Sequence, residues 1–355
     1  MTRIPSLNAS FLALCLAAPA AQAADGQQEL PPWSERAIIE DVDIEALAAS
    51  GEDPIAVLQP IGERLFKAKF TTLDGAGRPD ATQAIVPTKA PRRPAQAFQR
   101  LAGMDGNSCS SCHNEPVIGG SAAFTANAFV SEGFESADFD STDPQFSNER
   151  NSIALQGAGL IELLAREMTA DLRQQRKDVL AKARASGTAQ KGALETKGIS
   201  FGSLTAYPDG TLDVSGLEGI DDDLTLRPFG QKGVFASLRQ FSVNATNDHL
   251  GIQADERFGA DWTGETDFDG DGHVGEISPG LISALVAFQV TLPAPTRKQD
   301  LPDVWREAAA KGEDLFGKVG CTECHIPALP LESLVFQDPG PLDTAGTLRQ
   351  SDVER

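Results

Sequence analysis

Histidine, cysteine, methionine and tyrosine are scarce in this chain of 355 residues, which has 4, 5, 3 and 1 of them respectively. Positive charge is scarce too, because 30 lysine and arginine residues face 51 aspartate and glutamate residues and leave a net charge of −21. Such a chain lacks the basic field that binds nucleic acid, so we expect no nucleic-acid partner. Its acidity favours solubility, with attraction to a basic redox partner as the alternative.

Long apolar runs are missing after the first residues of the chain. No later stretch approaches the roughly 18 apolar residues that a membrane helix needs, so no membrane span is expected. Residues 1–23 predict a secretory signal peptide, with Arg3 as its positive start, a short apolar run at 11–18 and a cleavage site at 21–23. A lipoprotein anchored through Cys15 is the alternative. The predicted localisation is the bacterial periplasm.

Removal of the leader leaves four cysteines, and all of them lie in two short strings of the form Cys-x-x-Cys-His. This is the attachment sequence of c-type haem, in which both thiols form thioethers with one haem and the histidine becomes the proximal iron ligand. We name residues 109–113 the first string and residues 321–325 the second string. The predicted attachment and proximal residues are Cys109, Cys112 and His113 in the first string and Cys321, Cys324 and His325 in the second.

A zinc site and a dithiol redox site are the alternatives for the two strings. In a zinc ribbon the two cysteine pairs are typically about 15–20 residues apart, much closer than Cys112 and Cys321 are here. A dithiol site needs no histidine after each pair. Haem is therefore the favoured interpretation, and no cysteine is left over for a disulfide.

An internal repeat divides the chain, whose length predicts two domains. Gly-Glu-Arg-Leu-Phe at residues 62–66 recurs as Gly-Glu-Asp-Leu-Phe at residues 312–316, each ahead of one string. In cytochrome c domains a helix of this type precedes the string and packs against the last helix. We therefore predict a mainly α fold of two cytochrome c-like haem domains with long loops, at 24–295 and 296–355. The long segment before the first string implies that the first domain is enlarged by insertions.

Two further helices are predicted in the first domain. Its closing helix is expected at 280–292, with Ser278 as the cap and Pro279 in the first turn. A long helix is expected over 159–185, whereas residues 201–214 are expected to form loops with short extended pieces. The apolar face of the long helix is predicted to repeat every fourth residue: Leu160, Leu164, Met168 and Leu172.

The second predicted domain is incomplete. The residues after His325 contain several prolines and offer no long helix. A cytochrome c domain needs a closing helix after its string, so either an earlier segment supplies it or the chain continues beyond Arg355. We favour the second explanation.

The ligand opposite each proximal histidine decides the chemistry. An iron with two protein ligands mainly transfers electrons, whereas an iron with an open sixth position can activate peroxide. No methionine follows His325, and the candidate distal ligands are Met168 and His249. Met168 is alternatively an ordinary core residue of its helix. His249 is alternatively a catalytic acid–base group over an open site, or an exposed loop residue.

An acidic segment is a candidate calcium site. It has aspartates at alternate positions followed by a glycine, like the start of a calcium-binding loop, but Ser278 stands where the loop's final glutamate is expected. A plain acidic turn is the alternative. The candidate calcium ligands are Asp267, Asp269, Asp271 and Glu276.

Residues around the first string and beyond it resemble the bacterial di-haem c-type oxidoreductases, a family described as di-haem peroxidases. The resemblance covers about residues 62–329, although members usually continue well past the second string. It implies an exported protein with two covalent haems and a peroxide-reducing role. The stretches that carry it are GNSCSSCHNEP (106–116), NERN (148–151), LIELLAREMT (160–169), QKG (231–233), SLR (237–239) and NATNDHLGIQ (244–253).

The expected function is a periplasmic di-haem oxidoreductase that takes electrons from a small redox partner protein, passes them between its haems and reduces a substrate such as hydrogen peroxide. The alternative is a pure electron-transfer cytochrome with both irons six-coordinate and no substrate. A third class, a haem-free metal-binding or structural protein, would leave the four thiols unmodified.

Overall fold

A computed structural model describes residues 36–76, 106–122, 125–129, 147–230, 233–268 and 270–340. The predicted signal peptide lies outside these residues. Helices account for 44% and strands for 10%, so the protein is partly helical with a small sheet, and the two cytochrome c-like domains stay a prediction. No helix in the described ranges is long and apolar enough to cross a membrane.

The described elements succeed one another in this order along the chain. The helices are α1 (Ile44–Ser50), α2 (Pro54–Lys67), α3 (Cys109–Cys112), α4 (Ala158–Ser186), α5 (Leu238–Ala245), α6 (Asp255–Phe258), α7 (Ala260–Thr263), α8 (Pro279–Thr291) and α9 (Asp303–Lys318). The strands are β1 (Thr125–Phe129), β2 (Ser147–Asn151), β3 (Gln190–Thr196), β4 (Ile199–Ala206) and β5 (Leu212–Asp213). Two 3-10 turns (Thr72–Asp74 and Cys321–Glu323) and a π-helical turn (Thr246–Leu250) complete the set.

Helices α2 and α8 cross closely and form the centre of the first core. Helix α8 is the predicted closing helix, and the Ser278 hydroxyl caps it by accepting the Leu281 N–H at 3.2 Å. The crossing depends on Gly62, because a Cβ there would lie 1.8 Å from the Ala284 carbonyl oxygen. Such contact between backbones is possible only where a helix lacks a side chain.

Helix α4 packs against a small antiparallel sheet, in the order β3-β4-β5, and together they enclose the second core. The helix matches its predicted position, but its predicted apolar face was partly wrong, since Leu160 is 41% exposed while Met168 and Leu172 are buried. A strict spacing of four drifts around a helix with 3.6 residues per turn, so a distant member leaves the buried face. The prediction at 201–214 of loops with short extended pieces was confirmed, since the end of β4 and the short β5 are the extended pieces there.

Helix α9, which precedes the second string, has no buried residue. Its apolar side chains Trp305, Leu315 and Phe316 are 64%, 55% and 41% exposed. Within the described part of the chain, α9 packs mainly on the 3-10 turn of the second string that comes after it.

Beyond the second string, residues 329–340 return to the body of the molecule, and we name them the strap. The backbone N–H groups of Glu332 and Ser333 donate to the Glu167 carboxylate on α4 at 2.9 and 3.0 Å. Phe336 packs against the first core, and Asp338 accepts a hydrogen bond of 2.7 Å from Arg239. The strap therefore fixes the far side of the second string to the rest of the protein.

Candidate haem sites

The first string forms the short helix α3 and is anchored to the end of α2. Its turn is closed by the His113 N–H, which donates to the Cys109 carbonyl oxygen at 3.1 Å. The Ser108 hydroxyl donates to the Phe66 carbonyl oxygen at 3.2 Å. Cysteines three residues apart on a helical turn lie on the same side of it. The turn thus presents the thiols of Cys109 and Cys112 together, as attachment to a single haem requires.

The imidazole of His113 is held in an orientation that suits an iron ligand. Its Nδ1 lies 3.1 Å from the Gly120 carbonyl oxygen, and an N–H at this nitrogen leaves the lone pair of Nε2 for a metal. Gly120 is required by the tight loop, because a Cβ there would lie 1.8 Å from the Glu115 carbonyl oxygen. Burial lowers the pKa of His113 and the nearby charge of His249 adds to this effect, while the backbone contacts with Gly120 and Ile153 oppose it; the net lowering favours the neutral, ligating form.

The thiol of Cys109 lies against the first core, and burial raises its pKa to about 12. Redox-active cysteines need a lowered pKa, because the thiolate is the reactive form. Since this thiol is protonated at neutral pH, the dithiol alternative has no support at this string. All four cysteines of the two strings are free of disulfides.

The second string repeats the first in its local geometry. The His325 N–H donates to the Cys321 carbonyl oxygen at 2.8 Å, as His113 does to Cys109. The ring of Phe316 lies 5.8 Å from the ring of His325, and the ring of Phe66 lies 6.2 Å from that of His113. The phenylalanine of the internal repeat is therefore beside the proximal histidine in both copies, although a much longer segment separates the two residues in the first copy. These two phenylalanines belong to the candidate sites, and the repeat was the sequence feature that could have assigned them there.

His249 is brought to the first string by the π-helical turn after α5. Its carbonyl oxygen accepts the N–H of Gly106 at 3.3 Å, and its imidazole affects the pKa of His113. The side chain is half-buried, so the interpretation as an exposed loop residue was wrong. Single π-helical turns inserted in helices frequently occur at functional sites. The position is compatible with a distal ligand and with an acid–base group.

Met168 lies in a different part of the molecule's interior. It packs in the second core with Leu172 and Leu194, whereas Cys109 packs against the first core. This environment favours the ordinary core role of the methionine, and distal ligation by Met168 stays a prediction.

The acidic segment forms hydrogen-bonded turns in the described residues. Asp267 accepts the N–H groups of Gly270 and Gly272 at 2.9 and 3.1 Å, and Asp271 accepts the His273 N–H at 2.7 Å. These bonds favour the plain acidic turn.

The fourth candidate calcium ligand is already engaged elsewhere. Glu276 is buried and accepts the Gln253 N–H at 2.7 Å. Asp269 lies outside the described residues. No cluster of three or more histidine, cysteine or acidic side chains that could hold a metal occurs in the described part of the chain, and calcium stays a prediction.

A buried ion pair near the first core was not anticipated from the sequence. The guanidinium of Arg239 is fully buried and donates to the Glu256 carboxylate at 3.0 and 2.5 Å. It also donates to Ser283 on α8 and to Asp338 of the strap, both at 2.7 Å. Arg239 thereby connects α5, α8 and the strap.

Comparison with family models, curated proteins and solved structures finds no match for the chain. The resemblance to di-haem oxidoreductases consequently depends on the residues quoted for it in the sequence.

Proposed function

We propose that the chain is an exported di-haem c-type oxidoreductase, with one covalent haem at each string. The observation that carries the proposal is the repeated arrangement of the strings. In both copies a histidine N–H closes the turn on the first cysteine, at 3.1 and 2.8 Å. In both, the repeat phenylalanine lies beside that histidine, at 6.2 and 5.8 Å between ring centres. A zinc ribbon or a dithiol site has no need of this shared arrangement.

The residues of the first site fit the group. Cys109 and Cys112 would form the thioethers, and His113 would bind iron through Nε2 while its Nδ1 contacts Gly120. A bound haem supplies a one-electron centre whose potential depends on its axial ligands, burial and hydrogen bonding. Because Phe66 and the first core surround this site, we expect its potential to differ from that of the exposed second site, so that electrons move between the two in one preferred direction.

His249 is the residue proposed to act at the first site. Reduction of one hydrogen peroxide to two waters consumes two electrons and two protons. Histidine is the side chain that most often acts as a general acid or base, so His249 would deliver the protons to peroxide at the first site. The electrons would come from a small redox partner protein. A His249 that instead ligates iron directly would make the protein an electron carrier without this activity.

The test uses the exported, haem-loaded protein. Oxidised protein with an open site gives a high-spin signal in electron paramagnetic resonance and binds cyanide, and reduced protein is then oxidised by hydrogen peroxide. The matched variants are His249→Ala and His273→Ala. His273 is the control, because it is the other histidine outside the strings and lies in the acidic turn.

Under the proposal, His249→Ala slows peroxide turnover about 100-fold or more, in line with the loss of a general acid–base group. His273→Ala leaves turnover unchanged. Wild-type haem that is entirely low-spin and reacts with neither cyanide nor peroxide would reject the peroxidase role. If the haem then became high-spin in His249→Ala, His249 would be established as an iron ligand. Failure to bind haem would reject the proposal as a whole.

A further inference from the structure

A cavity of about 470 Å³ lies between α4, residues 225–227 and the start of α5. Four cationic side chains line it, and none of its lining residues is acidic. This composition is unusual for a chain with a net charge of −21. The four cationic residues are Arg166, Arg173, Lys177 and Arg227.

Two of the four cations already have carboxylate partners. Arg227 pairs with Asp221 at 2.9 Å and with Asp223, and Arg166 pairs with Glu162 on its own helix. These pairs hold the two guanidinium groups in place and remove most of their net charge. They therefore serve mainly as walls of the cavity.

The other two cations are not neutralised in this way. Arg173 donates only to uncharged oxygens, the Asp223 carbonyl at 3.3 Å and the Thr225 hydroxyl at 2.7 Å. Lys177, one turn further along α4, is exposed and makes no hydrogen bond or ion pair with any described residue. The Asp178 carboxylate, next to Lys177 along α4, accepts a hydrogen bond of 2.8 Å from the lining residue Gln174. Among the described residues, Arg173 and Lys177 therefore line the cavity without a carboxylate partner.

The remaining walls indicate the kind of anion that fits. Apolar surface comes from Ala165, Ala170 and Leu226, and a hydroxyl comes from Ser237. The volume lies within the range of small-molecule sites, which is about 300–1,000 Å³, and exceeds what one inorganic anion needs. A fixed guanidinium and an adjacent ammonium bind carboxylate and phosphate groups well.

We propose that this cavity binds a small organic anion, whose carboxylate or phosphate group contacts Arg173 and Lys177 while its apolar body lies against Ala165 and Leu226. The site is separate from the two strings and does not depend on the proposed haem function. It gives an acidic protein one place where an anionic small molecule is attracted instead of repelled.

Isothermal titration calorimetry of the exported protein, as purified, tests the proposal with benzoate, phenyl phosphate and uncharged benzamide. We expect at least one of the two anions to bind, more weakly as sodium chloride rises from 50 to 200 mM, and benzamide not to bind. The stronger of the two identifies the preferred anionic group. Loss of a charge-assisted contact is expected to weaken this binding about tenfold in Arg173→Gln and severalfold in Lys177→Gln.

Lys182→Gln is the matched control, because Lys182 is an exposed lysine of the same helix that does not line the cavity. Its affinity for the anion should equal that of the wild type. Lys177→Gln changes only an exposed side chain, so it remains informative if Arg173→Gln fails to fold. Absence of binding by both anions, or equal affinity in Lys177→Gln and Lys182→Gln, would overturn the proposal.

Discussion

The first and second strings have the same local structure but very different surroundings. In the first region, Leu65 and Phe66 of the repeat are 0% and 2% exposed, whereas Leu315 and Phe316 in the second are 55% and 41% exposed. The difference comes from α8, which packs across α2. Within the described residues, no helix packs across α9 in the same way. Turn geometry is thus encoded locally and the phenylalanine–histidine contact recurs in both copies, while burial depends on a distant segment.

The two regions also differ in how they are held. Arg239 and α8 stabilise the first region from within, by a buried ion pair and a dense helix crossing. The second string is held by the strap, which binds to α4 through Glu167.

The largest contrast in the free energy of unfolding is expected between alanine substitutions at the two glycines of the repeat, Gly62 and Gly312. Gly62→Ala places a methyl group 1.8 Å from the Ala284 carbonyl oxygen, so α2 and α8 must separate. We expect a loss of about 4 kcal/mol or more in the free energy of unfolding, measured by denaturant titration. Gly312→Ala meets no atom within 4 Å, and the higher helix propensity of alanine should stabilise α9 by up to about 1 kcal/mol. Equal destabilisation by both changes would show that α9 is packed like α2.

A slightly smaller contrast in the free energy of unfolding is expected between two arginine–glutamate pairs, one buried and one on the surface. Arg239→Met leaves the Glu256 carboxylate buried without its cation, and we expect a cost of about 3 kcal/mol in unfolding titrations. Arg297 makes a similar two-bond contact with Glu313, at 2.8 and 2.6 Å, but on the surface. Arg297→Met should leave the unfolding midpoint unchanged, because exposed pairs contribute little. A comparable loss in both variants would contradict the contrast between the regions.

A moderate contrast in the free energy of unfolding is expected between leucine substitutions at the two phenylalanines of the repeat, Phe66 and Phe316. Phe66→Leu changes shape within a packed core and should cost about 1 kcal/mol in unfolding titrations, whereas Phe316→Leu, on an exposed helix, should cost less. Each variant should perturb the absorption of the haem at its own string alone. A perturbation of both spectra by either variant would show that the phenylalanines do not act locally.

The smallest expected effect is a loss of hydrogen-exchange protection in the strap at low pH. The pKa of Glu167 is lowered, first because it accepts a hydrogen bond from Lys197 and then because it accepts the backbone N–H groups of Ser333 and Glu332. A carboxylate whose pKa is lower in the folded state stabilises that state above its unfolded pKa, and this contribution is lost as the pH falls through the lowered value. As the pH falls below the ordinary pKa of a glutamate and through the lowered value, hydrogen exchange at the two strap amides should therefore lose protection relative to the first core.

Glu167→Gln should remove this pH dependence of strap protection. Glu313→Gln is the control in the second region, because its carboxylate pairs with Arg297 and does not contact the strap. Strap protection that stays constant in acid, or that depends on Glu313, would contradict the role of Glu167.

Local features of this molecule could be predicted from the sequence, and long-range ones could not. The cap and first turn of α8 are encoded by Ser278 and Pro279, and the helices at both repeat copies are encoded by their patterns. The β3–β4 hairpin was missed, although Lys197-Gly198, both with positive φ, is a two-residue turn of the kind that joins such strands. Lysine is not a strong indicator of this turn, so the hairpin is hard to recognise before the backbone is known.

The candidate site was predictable to a similar extent. The strings and proximal histidines are specified by one motif, but the position of His249 depends on a π-helical turn and on its contact with Gly106. No motif specifies such a contact between distant segments. Likewise, a single arginine in the sequence does not show that it will be fully buried, as Arg239 is, because this depends on partners from three separate segments.

Mass spectrometry of the exported protein, digested into peptides, tests the central claim most directly. We predict one haem covalently attached to the peptide with the first string and one to the peptide with the second. Double variants Cys109→Ala/Cys112→Ala and Cys321→Ala/Cys324→Ala should each lose one of the two. Mature protein with four unmodified thiols, produced in cells that attach haem to a control cytochrome c, would contradict the account.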